Sequence, residues 1–107
     1  QVFDHLGVKP SPKTCKGMEG LIAECEEFAA EKGKGDISTV DAALIAGAQK
    51  IEHYEIAGYG TVRTFANILG FPEHADLLQR TLDEEGQTDK RLTTLAETVV
   101  NIDAVKE

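Results

Sequence analysis

Four carboxylates interrupt two otherwise apolar stripes of this sequence. Read at alternating steps of three and four, the stretch 38–69 gives Ile45, Ala48, Glu52, Glu55, Tyr59, Val62, Ala66 and Leu69. This is the spacing of a helix seam turned toward a neighbour. The stretch 73–101, read the same way, gives Leu78, Leu82, Glu85, Asp89, Leu92, Ala96 and Val99. A single Glu in such a stripe is most often a solvated residue at the edge of a wide face. Two acid pairs, each in mid-seam, need a further account. Buried ions without partners cost several kcal/mol each, so such groups protonate, open to water or take up cations. Inward-facing carboxylates on facing bundle helices are the ligand sets of dinuclear iron and manganese sites.

The register brings the pairs level. Glu52 and Glu55 lie about 17 residues before the break at 70–72, and Glu85 and Asp89 about 16 after it. At ~1.5 Å per residue both pairs fall roughly 24 Å from the turn, side by side in an antiparallel hairpin. Tyr59 follows Glu55 by one turn, placed for a hydrogen bond to a ligand or a redox role, or equally for ordinary core packing. His53 points off the seam, which favours a surface or interhelical role over ligation. His5 and His74 lie near element ends, with no partner at ligand spacing. Gly47, Gly58 and Gly60 let helices approach closely.

The elements that must position these residues are all helical. Residues 1–7 look like the last turns of a helix closed by Gly7, which implies sequence before Gln1. Pro10 and Pro12 mark an extended connector. A helix over 14–32, with Thr14 as N-cap, carries Met18, Leu21, Ile22, Cys25, Phe28 and Ala29 on one side. Its other side is acidic, with Glu19, Glu24, Glu26, Glu27 and Glu31. A turn at 33–36 precedes the long helix 38–69, for which Ser38 and Asp41 approximate a capping box. Gly70, Phe71 and Pro72 end it and start the helix 73–101. A connection this short makes the two an antiparallel pair.

The chain has 107 residues, with 19 acidic against 11 basic side chains and a formal net charge of −8. Such a balance disfavours nucleic-acid and membrane-surface partners. No apolar run approaches the ~20 residues of a membrane helix. Cys15 and Cys25 lie about 15 Å apart if helical, too far for a mutual disulfide, and read as reduced thiols of a cytoplasmic protein.

The segments KTCKGMEGLIAE, DAALIAGAQKIEHYEIAGYGT and LDEEGQTDKRLTTLAE resemble the YciE/YciF family of ferritin-like proteins, over nearly all of the chain. The resemblance implies an all-α, ferritin-like four-helix bundle with a carboxylate-bridged dinuclear site holding iron, with manganese as the alternative. On it, 14–32 is the crossover helix, and 38–69 and 73–101 are the third and fourth bundle helices. Glu52, Glu55 and Tyr59 are similar to the third-helix pattern of rubrerythrins, in which both glutamates ligate iron. The last helix of many ferritin-like proteins carries ExxH. Here Glu85 and Thr88 occupy those positions, and Asp89 stands next in the seam in place of the histidine.

The family domain has two preceding helices that would bring the remaining ligands. Two copies of this hairpin about a two-fold axis would also close a bundle, so a homodimer or higher homo-oligomer is expected. Three functions fit these features. They are oxygen or peroxide chemistry at a di-iron centre in stress protection, iron binding without turnover, and a non-enzymatic helical module acting through protein contacts.

Overall fold

The computed structural model describes residues 1–106, and every regular element among them is helical. A short α1 (Val2–Leu6) leads through an extended connector to α2 (Lys16–Ala30). The long α3 (Ile37–Ile68) and α4 (Pro72–Leu95) follow. A single π-helical turn (Ala96–Val100) carries α4 into α5 (Asn101–Val105). Helices α3 and α4 form the antiparallel hairpin, and α2 runs antiparallel along α3. No helix among the described residues is long and apolar enough to cross a membrane.

The hairpin turn is built by capping chemistry. Gly70 takes a positive φ of 80°, which only glycine adopts without strain. Its N–H donates to the Asn67 carbonyl, and the next N–H, of Phe71, donates to the Ala66 carbonyl at 2.8 Å. These are the two bonds of a Schellman motif, and Pro72 then opens α4 where no N–H is needed.

The other caps differ from the sequence reading. The cap of α3 is Asp36, whose carboxylate accepts from the N–H groups of Ser38 and Thr39. A carboxylate at that position reaches two orphan donors, so Ser38 and Asp41 are not needed as a capping box. Helix α2 begins after Cys15 rather than Thr14, with no side-chain cap. The segment 73–101 is also not one uniform helix. Thr94 and Thr98 donate back to the carbonyls of Lys90 and Thr94. Such back-bonding competes with the regular ladder and bends helices, here at the entry to the π turn.

Helix α2 buries a narrower stripe than expected. Met18, Leu21, Cys25 and Phe28 are half-buried, whereas Ile22 and Ala29 are exposed. Gly47 of α3 is buried beneath Cys25, and a Cβ there would stand 2.5 Å from the Cys25 Sγ. The glycine therefore sets how closely α2 lies on α3. Both cysteines are free thiols.

Candidate metal centre

Ile45, Gln49, Glu52, Ile56, Gly60 and Arg63 of α3 are all buried or half-buried, and they recur at 3.6 rather than 3.5 residues. A straight α-helix drifts about 20° per heptad from a strict seven-residue seam. Over its second half the three-and-four stripe is therefore covered only in part, with Ala66 still buried. Tyr59, Val62 and Leu69 are exposed, and Arg63 instead bonds Gln79 across the hairpin.

This drift separates the two α3 carboxylates. Glu52 stays half-buried in the hairpin seam, and its Oε2 is sealed from water with no hydrogen-bond partner. Glu55 lines an open hollow of about 360 Å³ with Cys15, Met18, Tyr54, Gly58, Tyr59 and Val62. On α4, Glu85 and Asp89 are both half-buried. Among the described residues no three His, Cys, Asp or Glu side chains stand close enough to share a metal ion. Tyr59 has no hydrogen-bond partner among them.

Asp89 is held by neighbours that the stripes do not include. Gln49 Nε2 lies 3.2 Å from Asp89 Oδ1 and 2.7 Å from Thr93 Oγ1. His53 Nε2 lies 3.1 Å from the same Asp89 oxygen. The imidazole is thus interhelical, as its position off the seam implied. Gln49 was legible in principle, because it lies one turn before Glu52 on the true 3.6 repeat.

At the turn end, His74 is buried between the rings of His5 and Phe71, with centroids 5.3 and 5.0 Å away. At the α2 N-terminus, the Cys15 thiol and the Tyr54 hydroxyl are hydrogen-bonded at 2.9 Å. That bond, helped by the N–H groups of Met18 and Gly17, holds the thiol below its ordinary range and the phenol above its own.

The carboxylates fit a hard-cation site in part. Their donors are all oxygen, the set that suits iron(II), manganese and magnesium. The buried oxygen of Glu52 lacks the partner such groups ordinarily have. The chain presents these carboxylates from two helices of one hairpin.

The hairpin, the helix α2 packed along it and its acid-bearing seam define a helical-bundle protein, and the chain belongs to the family described as a domain of unknown function, DUF892, matched over residues 1–105. Protein YciF of Escherichia coli K12 is 53% identical over 100 residues. That alignment spans 94% of this chain and 59% of the relative, so the chain covers well under two thirds of its length. The crystal structure described as the E. coli stress protein YciF superposes with a TM-score of 0.79 at 49% identity, over 88% of this chain and 58% of that one. YcfI of Rhodopseudomonas palustris, described as a candidate structural protein, superposes with a TM-score of 0.80 at 43% identity, over 87% and 58%.

Proposed function

We propose that this hairpin supplies half of a ferritin-like dinuclear metal centre, with Glu52, Glu55, Glu85 and Asp89 as ligands and Tyr59 behind them. Iron is the favoured metal and manganese the alternative, in a cytoplasmic, stress-related role, the E. coli relative being described as a stress protein. The observation that carries this reading is Glu52 Oε2. A carboxylate oxygen closed off from water without a donor costs about 1–3 kcal/mol, and a cation removes that cost. Gln49 and His53 fix the Asp89 carboxylate in one orientation, as outer hydrogen bonds do for metal-ligating acids. Bound iron would supply the electrons for oxygen or peroxide reduction. The chain's own part is to bind, orient and shield the ions.

Metal analysis after anaerobic loading with Fe²⁺ and desalting tests this. Two irons per completed site are expected, and Glu52→Ala and Glu85→Ala should each lose them. A protein that retains no metal contradicts the reading. Peroxide consumption by the loaded form then separates turnover from binding alone. A second reading, a non-enzymatic helical module, is favoured by Asp89 already being occupied by protein donors and by the description of the R. palustris neighbour.

A further inference from the structure

Two side chains of α3, one helical turn apart, reach across the hairpin to a single oxygen of Asp89. Gln49 Nε2 is 3.2 Å from Asp89 Oδ1, and His53 Nε2 is 3.1 Å from it. Residues four apart share a helix face, so the amide and the imidazole approach α4 side by side. A carboxylate oxygen only accepts, so the Gln49 atom facing it is the amide nitrogen, with two N–H groups to give. One goes to Asp89 and the other to Thr93 Oγ1 at 2.7 Å, one turn further along α4. The backbone carbonyl of Asp89 lies 3.4 Å from the same nitrogen. Gln49 is thereby tied to two successive turns of α4 from a half-buried position, whereas the His53 side chain is 65% exposed.

This arrangement divides the carboxylate between two tasks. An ionised carboxylate has about four lone-pair positions over its two oxygens. Gln49 and His53 occupy those of Oδ1. Oδ2 accepts from no side chain among the described residues and, unlike Glu52 Oε2, is not sealed from water. A cation met by Oδ2 alone leaves both protein contacts in place, while chelation by both oxygens has to displace two hydrogen bonds. Six-coordinate iron(II) and manganese accept single carboxylate oxygens. Calcium, with about six to eight oxygen ligands at roughly 2.3–2.6 Å, gains most from a carboxylate that offers both.

We propose that Gln49 is a positioning residue that holds Asp89 to one-oxygen ligation, and so biases the centre toward manganese and iron(II) and against calcium. The proposal rests on the metal reading above and adds its selectivity. Gln49 touches no cation and acts only through Asp89, with Thr93 anchoring the amide and His53 supplying the second donor.

The test is competition between Mn²⁺ and Ca²⁺ for the protein, followed by the electron paramagnetic resonance signal of free Mn²⁺. Ca²⁺ should displace Mn²⁺ from the wild type only in large excess. In Gln49→Met, similar in size but without a donor, the preference for Mn²⁺ over Ca²⁺ should fall about tenfold or more, the scale on which outer hydrogen bonds act at metal sites. A purely structural role would weaken both cations alike, so an unchanged ratio in that variant overturns the proposal. His53→Ala, at an exposed position, frees the same oxygen and should lower the ratio by less. If circular dichroism shows Gln49→Met to be unfolded, His53→Ala decides, and an unchanged ratio there overturns the proposal. Mn²⁺ uptake with unchanged ratios leaves the metal centre standing and removes only its selectivity device. A wild type that takes up no Mn²⁺ overturns both.

Discussion

At the residue scale the proposed site sets stability against binding, centred on Glu52. Its buried oxygen has no donor, so the metal-free chain carries a destabilising group at the middle of its main interface. Glu52→Met, similar in size and without charge, should stabilise the protein in chelator by about 1–2 kcal/mol, read from the denaturation midpoint. Lower stability in that variant would mean that the carboxylate has a partner. The Cys15–Tyr54 pair gives a second prediction. With Cys25 replaced by Ala, alkylation of Cys15 should set in at a pH below the ordinary thiol range. Tyr54→Phe should move that profile upward, since the hydroxyl bond is the main cause of the lowered value. The signs of the two stability effects are opposite. The thiol's contribution is present above the ordinary thiol titration and lost as pH falls through its lowered value. The phenol's contribution is present below the ordinary tyrosine titration and lost as pH rises through its raised value.

At the element scale, helix packing decides which side chains can meet. Gly47→Ala would gain about 1 kcal/mol of helix propensity but place a methyl against Cys25, an overpacking that costs about 1–3 kcal/mol. The substitution should therefore destabilise the wild-type chain and stabilise a Cys25→Ala background. A loss of similar size in both would mean that Cys25 is not the obstacle. The same geometry explains what the sequence made legible. Gly70 before Phe71 and Pro72 announced the hairpin turn, and the level placement of the acid pairs followed from helical rise. A strict three-and-four reading hid the splitting of Glu52 from Glu55, because 3.6-residue drift accumulates along a straight helix. It also hid Gln49 as a donor to Asp89, since the amide looks like one more polar edge residue until the drift is included. The π turn had only a weak local sign, the threonines at 94 and 98.

At the scale of the whole molecule, the extents of 54 × 27 × 17 Å describe a slab two helices deep rather than a closed bundle. The proposed metal centre requires that the half-buried carboxylates of this hairpin hold metal. Thermal unfolding with and without Fe²⁺, under anaerobic conditions, tests it most directly when the wild type and Glu52→Met are compared. The variant should melt higher in chelator, and Fe²⁺ should raise the wild type and leave the variant unmoved. A wild type unmoved by saturating Fe²⁺ would contradict it.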